Sequence, residues 1–260
     1  MKPMQRRKFL AALAAAPFQI VVARSEGMQP FRVSLLAGGR QDGVWQAGIL
    51  LELEPGWKTY WRMPGDTGIP PQFDWTGSTN SATVEVGFPV PGRYDDLSGE
   101  VIGYHSRVMF PVSVRPGSPD VPVHLRLNVF FGVCKDICIP ARAEVGLLLS
   151  APSANPDMED WQLRVPHVME PGETPPVTAA RLDVHQGKTM LVLSLARAVS
   201  DIFVESDTTA YFGKPRFDMA PGEAWLPVGN LKDAGKLRGK ALRLTFSFGD
   251  SGIEQTLPIN

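Results

Sequence analysis

Apolar and polar residues alternate along several short runs of this chain, and that period of two limits its fold more than any other feature. The clearest runs lie at residues 49–54, 82–88 and 123–129. Their apolar positions are Ile49, Leu51 and Leu53, then Ala82, Val84, Val86 and Phe88, then Val123, Leu125, Leu127 and Val129. Because successive side chains of a strand point to opposite faces, such runs predict antiparallel strands with one buried face.

Turn-forming residues separate these runs. The chain has 25 glycines and 24 prolines among its 260 residues, spread between the runs rather than arranged in repeats. They mark turns at residues 54–56, 64–66, 91–92 and 116–119. Several short strands at this spacing predict an all-β protein in which residues 31–150 form a β-sandwich of immunoglobulin-like type.

The alternation lapses between residues 151 and 177. This stretch is rich in proline, and at most one short helix, around Met158 to Leu163, is predicted within it. Such a composition is typical of a linker between domains. Alternation resumes at residues 191–195 and 242–248, so we predict a second, smaller β-rich domain over residues 178–260. That domain has no cysteine and no evident site, which favours a packing or partner-docking role.

Residues 1–23 have the composition of an export signal, with a basic head, an apolar middle and a small residue, Ala23, at the expected cleavage position. The pair Arg6-Arg7, followed by Lys-Phe-Leu, resembles a twin-arginine signal. A general secretion signal and an uncleaved anchor are the alternatives. We therefore expect a periplasmic protein, and no later segment is apolar enough to span a bilayer.

The charge balance excludes one class of partner. The chain has 26 basic and 27 acidic residues, a net charge of −1. It therefore has no electrostatic footprint for nucleic acid or for an anionic membrane surface.

The two cysteines, Cys134 and Cys138, lie four positions apart between two strand-like runs. A structural disulfide, a metal site and a redox-active pair all fit this spacing. As a structural bridge, so short a loop would add only about 2 kcal/mol in the chain-entropy account, against about 4.7 for a 100-residue loop. A redox pair needs an attackable sulfur and a second sulfur near enough to resolve the mixed disulfide, and i and i+4 across a tight turn meet that requirement.

The alternation also predicts which face the sulfurs occupy. In the run before the pair the odd-numbered residues are apolar, so Cys134 is expected on the polar face of the strand, together with His124, Arg126 and Asn128. In the run after the pair, Cys138 falls with Arg142 and Glu144. Both sulfurs are therefore expected to point away from the core, which favours a reactive pair.

Competing sites find less support. The histidines (His105, His124, His167 and His185) show no ligand spacing, and two thiolates alone leave a metal short of ligands. Copper handling and a non-catalytic module with a structural disulfide remain alternatives, but we expect no cofactor and no metal. No hydrolase or phosphate-binding motif is present. Tyr60-Trp61-Arg62 is most simply interpreted as edge-strand packing.

Three motifs together resemble one known family. They are GWKTYWRMPGDTGIPPQFDW (residues 56–75), GEVIGYHSRVMFPVSV (residues 99–114) and GVCKDICIPA (residues 132–141). In this order they are similar to the periplasmic N-terminal domain of the DsbD/ScsB thiol-reductant conductors. The similarity covers residues 31–150, and the second domain looks like the continuation seen in ScsB-like proteins.

This resemblance implies an immunoglobulin-like domain that accepts electrons from a membrane-side thioredoxin-like partner and passes them to periplasmic disulfide proteins. It implies that Cys138 is the sulfur attacked by the incoming thiolate and that Cys134 is the resolving sulfur. DsbD separates its cysteines by more residues, so the loop here departs from that pattern. With no membrane or thioredoxin-like domain following, the electron source is expected to be a separate protein.

The resemblance also implies a cap over the disulfide. In DsbD a short loop with an aromatic residue covers the cysteines and swings aside on docking. The corresponding residues here are Arg93 to Ser98, with Tyr94, Asp95, Asp96 and Leu97 as the cap loop. Turn-forming residues flank this stretch, and Tyr94 and Leu97 offer apolar cover. A plain hairpin loop whose tyrosine packs on its own strand is the alternative.

Overall fold

The computed structural model describes residues 29–65, 68–96, 99–153, 155–230 and 233–259. Within these residues the chain is almost entirely β-structure, which confirms the predicted all-β, immunoglobulin-like class. The predicted export signal, residues 1–23, lies outside the described residues. No helix in the part that the structure describes is both long and apolar enough to cross a membrane.

Residues 31–149 form a first unit of two packed antiparallel sheets, as expected for a sandwich. One sheet has the order β1-β2-β8-β5, and the other has the order β10-β9-β3-β7-β6, with β4 paired to β9. The strands are β1 (Phe31–Gln41), β2 (Val44–Leu53), β3 (Lys58–Gly65), β4 (Gln72–Asp74), β5 (Ser81–Val86), β6 (Gly92–Asp96), β7 (Gly99–His105), β8 (Arg107–Pro116), β9 (Val123–Cys134) and β10 (Cys138–Leu149).

Along residues 123–129 of this unit, the residues predicted to face inward are buried, and those predicted to face outward are exposed. On β9 the apolar positions Val123, Leu125 and Leu127 are at most 2% exposed, whereas the polar positions between them are exposed. The apolar positions of β2 are buried in the same core. The hydrophobic effect thus fixes which face of each strand turns inward.

Described residues of the proline-rich stretch contact both units. Helix α1 (Pro156–Leu163) covers the span where a short helix was predicted, and its Met158, 3% exposed, packs against Gly38 and Gly48 of the first unit. After it, β11 (His167–Val168) pairs in parallel with a strand of the second unit.

Residues 177–258 form the second unit, also of two sheets, with orders β11-β18-β17-β14 and β12-β13-β16-β15. A 3₁₀ helix (Ala234–Leu237) precedes the last two strands. The strands are β12 (Val177–His185), β13 (Lys188–Leu195), β14 (Asp201–Ser206), β15 (Tyr211–Phe212), β16 (Glu223–Gly229), β17 (Ala241–Phe248) and β18 (Ser251–Pro258).

The two units meet along an extensive contact. Phe203 of β14 is 1% exposed and packs in the core of the first unit, with its ring centroid 5.6 Å from that of Trp61. Arg62 forms ion pairs with Glu205 and Glu254 of the second unit. Burial alone would lower the pKa of Arg62, but the hydrogen bonds and charges of these two carboxylates outweigh it and raise that pKa.

Candidate functional site

The disulfide closes the hairpin formed by β9 and β10. Cys134 ends β9, Cys138 begins β10, and the two are direct partners in the antiparallel register, with Cα atoms 4.1 Å apart. The three residues between them are exposed, and Ile137 at the tip is 74% exposed. The bond therefore lies at one end of a ladder that continues for twelve residues on each strand.

Both cysteines lie on the face of the sheet opposite to the core. Phe131 and Val133 of β9, and Ala141 and Ala143 of β10, belong to or pack on the main core, so the residues between them face outward. This agrees with the face predicted from the alternation. The outward face is nevertheless covered at this point, because Cys134 is only 1% exposed whereas Cys138 is partly exposed.

Tyr60 provides part of that cover. It packs with Val101 and Cys134 in a small cluster separate from the main core, and Cys138 packs against this cluster. The Tyr60 hydroxyl donates a hydrogen bond to the Sγ of Cys138 at 2.7 Å. Two elements therefore position the disulfide, namely the hairpin that carries it and the neighbouring strand β3.

Glycine at position 132 makes this arrangement possible. The Tyr60 ring crosses β9 over Gly132, and a Cβ at that position would lie 2.7 Å from the ring and 3.0 Å from Ile69. The Gly132 N–H donates to the Ile69 carbonyl at 3.0 Å, so the segment after β3 closes over the same spot. A side chain at position 132 would displace Tyr60 from the sulfur.

A lysine and a histidine extend the row of the cysteines across the sheet. Lys58 of β3 is the register partner of Cys134 on one side and of His105 on the other. Residues directly opposite each other share a face, so Cys138, Cys134, Lys58 and His105 form one row. Lys58 is 5% exposed, and burial followed by the charge of Lys58 holds the pKa of His105 below its usual range.

The predicted cap residues lie at the end of β6 and just beyond it. The Tyr94 ring packs on His105, with centroids 4.0 Å apart, and it lies over Gly92. Asp95 is exposed, Asp96 pairs with Gly99 through the backbone, and Leu97 lies outside the described residues. The register partner of Tyr94 is Val101, the residue that packs with Cys134.

The hairpin that bears the cap residues is thus adjacent to the disulfide through Val101. The expectation that Tyr94 or Leu97 contacts the sulfurs stays a prediction.

The residues that sequence reasoning missed are Tyr60, Lys58 and Val101. The interpretation of Tyr60-Trp61-Arg62 as edge-strand packing is wrong, because β3 lies between β9 and β7 in the middle of its sheet. Lysine and tyrosine at positions 58 and 60 alternate with Thr59 and Trp61, which was a usable signal for the outward face of this strand but not for its position beside the cysteines.

Chemically, the site presents two unequal sulfurs. Cys138 is partly exposed, whereas Cys134 is enclosed by its neighbours. Among the described residues there is no group of three or more histidine, cysteine, aspartate or glutamate side chains arranged to hold a metal ion.

Comparisons with known proteins place this geometry in a family. The family model described as "Thiol:disulfide interchange protein DsbD, N-terminal" matches residues 26–150. The crystal structure of the N-terminal periplasmic domain of ScsB from Proteus mirabilis superimposes with a TM-score of 0.68 at 23% identity, covering 88% of this chain and 93% of that one. This structural likeness spans both units.

A second structure, that of the YadV chaperone, has a TM-score of 0.25 at 11% identity and covers 88% of this chain and 100% of that one. No curated protein matches the chain. The family match includes the cysteine hairpin and the strands that position it. Residues 26–150 of this chain therefore belong to the DsbD/ScsB N-terminal domain family of thiol:disulfide interchange proteins.

Proposed function

We propose that this protein relays reducing equivalents through the Cys134–Cys138 pair, from a membrane-side thioredoxin-like donor to disulfide-bonded proteins of the periplasm. The observation that carries the proposal is a hairpin disulfide with one reachable sulfur and one buried sulfur. The periplasmic location is supported by the composition of residues 1–23 and by the periplasmic origin of the ScsB domain.

The relay consists of two thiol–disulfide exchanges. A donor thiolate attacks the Sγ of Cys138, the Cys134–Cys138 bond breaks, and Cys134 leaves as a thiolate. The second donor thiol, as its thiolate, then attacks the donor sulfur of the mixed disulfide and releases Cys138. The donor is oxidised to a disulfide, and the pair is reduced to two thiols. Repeating the sequence with Cys138 as the attacking thiolate transfers the two electrons to an acceptor disulfide.

The position of Lys58 beside Cys134 in this row supports Cys134 as the leaving sulfur. Exchange is faster when the leaving thiol has a lower pKa, and a nearby cation lowers the cost of forming a thiolate. Lys58 lies across from Cys134 and is almost fully buried, so solvent screens its charge less than that of an exposed lysine. We infer that Lys58 stabilises the Cys134 thiolate when Cys138 is attacked.

The buried position of Cys134 predicts which single-cysteine variant traps a partner. Cys134→Ser leaves Cys138 reachable and should accumulate a mixed disulfide with a thioredoxin-like protein, seen on a non-reducing gel. Cys138→Ser leaves only the enclosed sulfur and should accumulate far less. If only Cys138→Ser traps a partner, the roles of the two cysteines are reversed. If the wild-type pair exchanges with no thiol, the disulfide has a structural role.

Removing the Lys58 charge should slow attack on the disulfide. We expect Lys58→Met to lower the rate constant for reduction by glutathione about three- to tenfold, because the Cys134 thiolate loses its cation. Lys135→Met is the matched control, since Lys135 is exposed in the turn and its charge is screened. Equal rates for the two variants would exclude Lys58 from the chemistry.

The Tyr60 hydroxyl should favour the thiolate at Cys138. A hydrogen bond to a charged acceptor is stronger than one to a neutral acceptor, by about 1 kcal/mol. In a Cys134→Ser background, Tyr60→Phe should therefore raise the pH midpoint of thiolate formation by about half a unit to one unit, followed by ultraviolet absorbance. Tyr104→Phe is the control, because the Tyr104 hydroxyl donates to the Pro89 carbonyl and not to a sulfur. An unchanged midpoint in Tyr60→Phe would contradict this role.

The cap loop is part of the proposal. Residues 94–96 lie on the hairpin whose Val101 packs with Cys134, which supports a cap over the reduced pair between partners. Replacing Tyr94 and Leu97 together by glycine should raise the rate at which a small disulfide oxidises the reduced pair. Val184→Gly, at an exposed apolar position of another hairpin, should leave the rate unchanged. If the double variant reacts like wild type, the loop does not protect the sulfurs.

A further inference from the structure

Strand β7 touches the disulfide site with one of its two faces. Val101 is fully buried and packs with Tyr60 and Cys134. Its position along the sheet is set by pairing with Tyr94 of β6 on one side and with Gly65 of β3 on the other. Any movement of the β6–β7 hairpin away from β3 would therefore withdraw Val101 from the buried sulfur.

The opposite face of the same hairpin is held by the second unit. Because side chains alternate along a strand, Glu100, next to Val101, points to the other face, as does Arg93 of β6. The Arg93 guanidinium hydrogen-bonds both carboxylate oxygens of Asp201 at 3.0 and 3.2 Å, and the Ile202 carbonyl at 3.0 Å. Glu100 accepts hydrogen bonds from Arg93 and from the Tyr211 hydroxyl.

Most of this contact is buried. The side chains of Arg93 and Glu100 are 4% and 10% exposed, and that of Asp201 is 21% exposed. Burial alone would lower the pKa of Arg93, but the hydrogen bond and charge of Asp201, together with the charge of Glu100, outweigh it and raise that pKa. Buried charged hydrogen bonds with several partners fix one geometry, since any displacement leaves a charge without its partners.

We propose that the second unit is a clamp on the β6–β7 hairpin, and that Arg93, Glu100, Asp201 and Tyr211 are positioning residues for the disulfide. Asp201 and Tyr211 hold one face of the hairpin so that Val101, on the other face, stays against Cys134. The clamp gives residues 178–260 a role in setting how readily the disulfide is reached. It rests on the proposed function in taking this disulfide as the reacting group.

The test loosens the clamp from the side of the second unit in the full-length protein. We expect Asp201→Asn combined with Tyr211→Phe to raise the rate constant for reduction of the disulfide by dithiothreitol about tenfold, since each change removes a buried charge-assisted hydrogen bond. Amide hydrogen exchange in residues 99–103 should accelerate in parallel, while exchange in residues 123–129 of β9 stays at the wild-type rate. Tyr211→Phe alone, which loses a single oxygen atom, should shift both quantities in the same direction.

Asp207→Asn is the matched control, because it makes the same substitution in the same unit and breaks only an exposed pair with Lys240. It should leave the reduction rate and the exchange of residues 99–103 unchanged. Unchanged rates in the double variant would overturn the proposal, and so would equal acceleration of exchange in β7 and β9, which would indicate global loosening. Dithiothreitol reduces the disulfide without a protein partner. This experiment therefore tests the clamp separately from the proposed function, which is tested by whether Cys134→Ser traps a thioredoxin-like protein.

Discussion

The pairing of β9 with β10 is the constraint on which the rest of the site depends. Phe131 faces Ala141 and Val129 faces Ala143 along this ladder, and these residues lie in or pack on the core, so the core fixes a register in which the cysteines meet on the outer face. A shift of β10 by one residue relative to β9 would turn Cys138 toward the core and away from Cys134. A disulfide across so short a loop adds only about 2 kcal/mol, against a ladder twelve residues long on each strand. The strand pairing therefore holds the two cysteines together, and the sheet does not depend on the disulfide for its register.

Within that register the two sulfurs acquire different surroundings from neighbouring strands. Cys134 lies one strand further into the sheet than Cys138, which places it beside Lys58 and beneath the cluster of Tyr60 and Val101. Cys138 lies on the edge strand, and its contact with the Tyr60 hydroxyl leaves it partly exposed. The two sulfurs thus differ in exposure, and the difference follows from the order of the strands together with the cover that Tyr60 and Val101 provide.

The sequence was sufficient to predict the strands and the face of each cysteine, because both follow from a local period of two. It was not sufficient to predict what covers that face, because cover comes from distant segments. Thr245 and Ser247 alternate with the apolar residues of β17 like solvent-facing residues, yet they are 0% and 7% exposed. Arg62, more than 180 residues earlier, donates to the Thr245 hydroxyl at 3.3 Å. No local pattern contains that pairing, and the same limit explains why Tyr60 was missed.

The two edges of the sheet that bears the disulfide have different neighbours. Strand β6 ends the sheet on one side, and an edge strand offers unpaired backbone groups to other chains. The second unit lies beside this edge, with Arg93 tied to Asp201 and to the Ile202 carbonyl. Strand β10 ends the other side and bears Cys138, where Pro140 lacks an N–H to donate to a foreign strand. The partly exposed sulfur of Cys138 therefore lies at the edge of the sheet opposite to the one beside which the second unit packs.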